Sequence, residues 1–250
     1  MSSSSTPQVP MSLRATGRIV GALFLSALFL YGGGNFLVLS AVGDDTAVPA
    51  NATSLAQLCA GSALLLLNSA AVVTIGALAF RVLRREHRGT ANLYLGTRTV
   101  EAVLLALAPL GTLMLALSGS GQPGFARTLV ENAETAYSVA MSTLGVGSIF
   151  FCWVLLKSGL LPRILAAWGI VGYAIFALGS VLELSGYGVG LVMSLPGGLF
   201  EVAAGFYLLV KGFRWLNPDG ALSPDDTVST TTTPQISPAV ATSTQISASR

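Results

Sequence analysis

Hydrophobic residues in this chain fall into six long stretches, and most of the charged residues lie outside them. The stretches cover residues 17–42, 55–80, 93–117, 133–156, 164–185 and 188–210. Each is at least as long as the roughly 20 residues that an α-helix needs to cross the hydrocarbon core of a bilayer. The pattern therefore predicts an all-α fold, a bundle of six transmembrane helices.

The basic residues are concentrated in every second segment between the stretches, which bears on orientation in the membrane. Arginine and lysine in short loops favour the cytoplasmic side, so both termini are predicted to be cytoplasmic. The first stretch is longer than the roughly 7–15 apolar residues of a secretory signal peptide, so we expect it to be retained as a span. The basic residues in the segments predicted to be cytoplasmic are Arg14, Arg18, Arg81, Arg84, Arg85, Arg88, Lys157, Arg163, Lys211 and Arg214.

Composition supports the same class of protein. Hydrophobic residues make up 52% of the chain, charged residues only 10%, and the mean hydropathy is +0.72. These few charged residues are not enough to form the surface of a water-soluble protein. The lipid bilayer is therefore the expected environment. The net charge is only +2, and no nucleic-acid partner is expected. Cys59 and Cys152 are predicted near opposite ends of the bundle, too far apart for a disulfide, and therefore free.

The two ends of the chain differ in composition from the predicted bundle. Residues 1–13 are rich in serine, and residues 216–250 are dominated by serine, threonine, proline and alanine. Such segments bury too little apolar surface to offset the entropy of ordering them. The sequence thus predicts disorder in residues 1–13, a six-helix domain over residues 14–215 and a disordered cytoplasmic tail over residues 216–250. Met11 is an alternative start to Met1.

Three charged residues lie well inside the predicted spans, Arg98 and Glu101 in the third and Glu201 in the sixth. A charged side chain at span centre costs about 2.5–3.5 kcal/mol on insertion scales, so each should face protein or water. Arg98 and Glu101 are three residues apart and share a helix face. Glu201 lies among small residues on one face of its helix, at a similar predicted depth. The three are therefore predicted to form a polar cluster.

Two interpretations of this cluster remain open. Intramembrane ionisable residues often mark the path of a ligand, an ion or a proton. Alternatively, the cluster is an ion-paired clasp that fixes which helix faces pack together. Asn35, Asn68 and Tyr94 are secondary polar candidates, and Tyr31 is a further interior polar residue; such groups also serve as packing contacts between helices.

No enzyme motif is evident in the sequence. Cysteine, histidine and carboxylate residues lack metal-ligand spacing, the glycines follow helix packing rather than a nucleotide-binding pattern, and there is no nucleophile elbow. The single histidine, His87, lies in the basic loop between the second and third stretches. The sequence therefore predicts no catalytic residue, no metal site, no cofactor and no enzymatic activity.

Several short motifs resemble a known family. Residues 157–163 read KSGLLPR, residues 168–173 read WGIVGY, and Pro196 and Glu201 precede the LLVKG of residues 208–212. With RIVG at residues 18–21 and RTVE at residues 98–101, they are similar to the bacterial membrane family catalogued as domain of unknown function 4386. The resemblance covers about residues 14–214 and implies six helices in the cell membrane of a bacterium, with no assigned activity.

The turn at residues 157–163 has a simple physical basis. Gly159 can take positive φ after the fourth span, and Pro162 suits the start of the fifth. Glu183, near the other end of the fifth span, is predicted to be an interfacial side chain that reaches for water.

Two classes of function follow from the sequence. The first is a binding or regulatory membrane protein, or a partner subunit, with a buried polar cluster. The alternative is a small-molecule or proton-coupled transporter that uses Arg98, Glu101 and Glu201. Expected partners are the lipid bilayer, an unidentified small-molecule ligand, and either further copies of the chain or another membrane protein.

Overall fold

The computed structural model describes residues 12–42, 52–84, 87–118 and 123–213. Within them the chain forms α1 (Leu13–Val42), α2 (Ala52–Leu83), α3 (Arg88–Ser118), α4 (Pro123–Ser158), α5 (Arg163–Leu184) and α6 (Gly190–Lys211). All six are long and apolar enough to cross a membrane, which confirms the predicted all-α, six-span fold. The disorder predicted for residues 1–13 and 216–250 lies outside the described residues, except that α1 begins at Leu13.

The helices form a closed ring in chain order. Each helix packs against its neighbour in sequence, and α6 returns to pack against α1. Consecutive helices run in opposite directions, so one end of the ring carries Arg84, Lys157, Arg163 and Lys211. We name this the basic end, and the opposite end the far end.

Glycine brings the helices close together at every interface of the ring. At six of these glycines an added Cβ would lie about 3 Å or less from a neighbouring helix, so a larger residue would force the helices apart. These glycines are Gly21 against α6, Gly34 against α2, Gly76 against α3, Gly147 against α3, Gly145 against α5 and Gly172 against α6. Gly32 and Gly198 do not mark a close approach between helices, because an added Cβ at either position would meet nothing within 4 Å.

The buried hydrophobic core occupies the half of the ring near the basic end. Its members include Val20 of α1, Ala79 of α2, Leu155 of α4 and Leu208 of α6, all nearly inaccessible. The α4–α5 turn closes this half as the sequence predicts, with Gly159 at φ 66°. Pro162 stands immediately before α5 as its N-cap residue.

Candidate functional site

Arg98 of α3 lies at the centre of a buried ionic cluster. Its Nη1 donates to Glu101 Oε2 at 3.1 Å and to Oε1 at 3.4 Å, one turn along the same helix. Its Nη2 lies 3.6 Å from Glu201 Oε1 on α6. The structure thus brings together all three charged residues predicted from the sequence. The side chains of Arg98 and Glu101 are only 3% and 4% exposed, whereas that of Glu201 is 31% exposed.

Two tyrosines complete this group. Arg98 Nε donates to Tyr94 Oη at 2.9 Å, and Tyr173 Oη of α5 donates to Glu201 Oε1 at 2.7 Å. We name Arg98, Glu101, Glu201, Tyr94 and Tyr173 the Arg98 cluster. Because its members come from α3, α5 and α6, the cluster joins non-adjacent helices across the ring.

Aromatic rings surround the guanidinium. Its central carbon lies 5.5 Å from the ring centroid of Phe24 on α1 and 5.2 Å from that of Tyr94. Tyr94 in turn stacks on Phe151 of α4, with centroids 4.1 Å apart. Such faces favour a cation electrostatically and exclude water. Arg98 is therefore held by packing as well as by its two carboxylates.

One donor of Arg98 remains unsatisfied. Within the described residues Nη2 makes no hydrogen bond, and its 3.6 Å separation from Glu201 is too long for one. A buried donor without an acceptor is costly, so Nη2 is a weak point in a cluster whose other hydrogen bonds are made. Nη2 faces Glu201, the more exposed of the two carboxylates.

A cavity of about 710 Å³ occupies the far-end half of the ring. All six helices contribute to its walls, among them Asn35 of α1, Asn68 of α2, Pro109 of α3, Ser138 of α4 and Ser194 of α6. We name it the far-end cavity. Its volume is in the range of small-molecule pockets, about 300–1,000 Å³, and its mixture of apolar walls with a few polar groups is typical of them.

The secondary polar residues divide between the two features. Tyr94 belongs to the Arg98 cluster, whereas Asn35 and Asn68 line the far-end cavity and do not touch the cluster. Asn68 is only 3% exposed and contributes to the cavity wall. Its amide is therefore a polar group that a molecule in the cavity would meet.

Two stacked tyrosines form part of the cavity wall. Tyr31 of α1 and Tyr137 of α4 have ring centroids 5.7 Å apart at an interplanar angle of 19°, and both line the cavity. The cavity therefore has an aromatic surface as well as aliphatic side chains.

A family model described as Domain of unknown function (DUF4386) matches residues 19–212. The chain belongs to this family. The matched region begins inside α1 and ends just after α6, so it includes every residue of the cluster and the cavity. No curated protein and no solved structure matches the chain.

Two features of this DUF4386 chain were not predicted from the sequence. Tyr173 and Tyr137 were not recognised as site residues; the only indication was that Tyr173 follows Gly172 on the close-packed face of α5. Glu183, predicted as an interfacial side chain, is exposed but also accepts a hydrogen bond from the Gly190 N–H at 2.6 Å. It thereby satisfies one of the free amides that begin α6 and borders the cavity.

Metal chemistry has no evident place in the described part of this DUF4386 chain. Across residues 12–42, 52–84, 87–118 and 123–213, no group of three or more His, Cys, Asp or Glu residues could hold a metal ion. Cys59 and Cys152 are free thiols. What the arrangement offers chemically is a partly open volume with a few polar groups in an apolar wall.

Proposed function

We propose that the protein is a multi-pass protein of the cell membrane that binds a small organic molecule in the far-end cavity and acts as a sensor or as a regulatory subunit of a membrane assembly. The observation that carries the proposal is the cavity itself, with the buried amide of Asn68 in its wall. Its chemistry is binding rather than catalysis.

In this proposal the Arg98 cluster is a clasp. Arg98 and Glu101 do not line the cavity and are almost completely buried, so a ligand in the cavity would not touch them. Their contacts hold α3 to α6, and through Glu201 and Tyr173 to α5. The clasp would fix the helix arrangement that leaves the far-end half unfilled.

The first test asks whether a molecule in solution reaches the cavity. Ser138→Cys places a thiol on the cavity wall, and Ser148→Cys places one at a fully buried position further along α4. Cys59 is replaced by alanine, while Cys152, which has 0% exposure, is kept. In lipid nanodiscs a water-soluble maleimide should label Ser138→Cys and not Ser148→Cys. An unreactive thiol at position 138 would contradict the proposal.

The second test asks whether the cavity takes a ligand. A ligand specific for the folded state stabilises by about 2.7 kcal/mol at a concentration of 100 Kd. A small-molecule library is therefore screened by thermal unfolding of the parent, with Ala108→Trp and Ser194→Trp as two variants that fill the cavity from different helices. Compounds that raise the Tm of the parent should lose their effect in both variants. Compounds that stabilise all three proteins equally would bind elsewhere.

A transporter is the second candidate, favoured by the 31% exposure of Glu201 and the unsatisfied Nη2 of Arg98 opposite it. A carboxylate that is only partly buried could exchange partners during a transport cycle. In proteoliposomes, this function requires a proton or solute flux that Glu201→Gln abolishes without unfolding the protein. A regulatory binding protein would produce no flux in either form.

A further inference from the structure

Among the described side chains that line the far-end cavity, the charged ones are all negative. They include two carboxylates, Glu134 and Glu183, and no lysine, arginine or histidine. Both carboxylates are exposed and border the cavity toward the far end. Glu183 is held in place because it accepts the Gly190 N–H. The described border of the cavity is thus negatively charged.

Hydrogen-bond acceptors also dominate deeper in the cavity. Pro109 in α3 has no N–H, so the carbonyl of Leu105 loses the donor that a regular helix would supply. Leu105 and Pro109 both line the cavity. Asn68, on the neighbouring helix α2, adds an amide whose oxygen can accept a hydrogen bond. The Leu105 carbonyl and the Asn68 amide are thus acceptors that an N–H donor on a ligand would meet.

The tyrosine pair of the cavity wall continues this trend. The ring faces of Tyr31 and Tyr137 carry negative electrostatic potential and attract cations. The remaining walls are apolar and suit a hydrocarbon body.

From this combination we infer that the ligand of the far-end cavity is an organic cation, a protonated amine attached to an apolar body. The inference rests on the proposed function and adds the charge class of the ligand. The ammonium group would point toward Asn68 and the carboxylates, and the apolar part would lie against the leucine and phenylalanine side chains of the wall.

The test uses three compounds with the same skeleton and different head groups: 4-phenylbutylamine, 4-phenylbutanol and 4-phenylbutanoate. Each is added to the full-length Ser138→Cys protein, carrying Cys59→Ala, in nanodiscs, and the rate of alkylation by the maleimide is measured. The amine should slow alkylation at concentrations where the alcohol and the carboxylate have little effect. Protection by the amine should need about tenfold more compound in Asn68→Leu or Glu134→Gln, since a hydrogen bond to a charged group is lost.

Glu86→Gln is the matched control, because it makes the same change of charge at a position of the sequence between α2 and α3. It should leave protection by the amine unchanged. Equal protection by all three compounds, stronger protection by the alcohol or the carboxylate, or no protection by any of them would overturn the inference. Alkylation without added compound tests the proposed function separately, so the two proposals can fail independently.

Discussion

Replacing Arg98 with leucine should strongly destabilise the protein. Glu101, whose side chain is 4% exposed, would lose its cation and two hydrogen-bond contacts at 3.1 and 3.4 Å. Tyr94 would lose the N–H that its hydroxyl accepts. Removing one partner of a buried ion pair costs about 3–5 kcal/mol, because an uncompensated charge stays behind. That is a large share of the roughly 5–15 kcal/mol by which most proteins are stable.

The structure also ranks the related variants. Glu201→Gln should cost about 1 kcal/mol or less, because its ion pair is long and partly exposed and glutamine can still accept from Tyr173. The double variant Arg98→Leu, Glu101→Leu should regain most of the loss, since an apolar pair often replaces a buried ion pair at little cost. Glu201 is left unchanged there because Tyr173 donates to it.

The assay is reversible unfolding in mixed detergent micelles with increasing sodium dodecyl sulfate, followed by circular dichroism. Arg163→Leu serves as the control for loss of a positive charge, because that residue is exposed at the basic end; it should change stability by no more than about 0.5 kcal/mol. An Arg98→Leu variant as stable as the parent would refute the clasp. So would a double variant no more stable than Arg98→Leu alone.

Three further predictions concern the rest of the molecule. A reporter that is active only in the cytoplasm should give activity when fused after Arg88 and none when inserted in residues 43–54; the reverse would overturn the orientation. Deleting residues 219–250 should leave the Tm in detergent unchanged, and a large fall would show that this segment docks on the bundle. Gly147→Ala should cost about 1–3 kcal/mol because the new methyl group overlaps the Thr97 side chain, whereas Gly198→Ala, with nothing within 4 Å, should cost little in the same unfolding assay.

The fold could be predicted from the sequence because hydrophobic length alone decides what crosses a bilayer. The pairing of Arg98 with Glu101 could also be predicted, because a spacing of three residues on a helix places two side chains together whatever surrounds them. Glu201 could be added because the small residues around it marked the face of α6 that packs inward. In each case the information lies within one helix.

Contacts between different helices were harder to predict. Tyr173 reaches Glu201 from 28 positions away, and aromatic residues such as Phe24 and Phe151 are common throughout the spans, so nothing in the sequence singled them out. The far-end cavity is a property of how six helices diverge. No residue type encodes an empty volume, and Asn68 could not be assigned to its wall until the packing of the helices was known.

The closed ring also has a consequence for biogenesis. Five of its six interfaces join helices that follow each other in the chain, so each can form as soon as the second helix has been synthesised. The α1–α6 interface cannot form until α6 has been synthesised. At this interface Gly21 of α1 lies against the backbone of α6. Until α6 enters the membrane, Arg98 has Glu101 but not Glu201. Arrival of the last helix therefore both closes the ring and supplies the second counter-charge of Arg98.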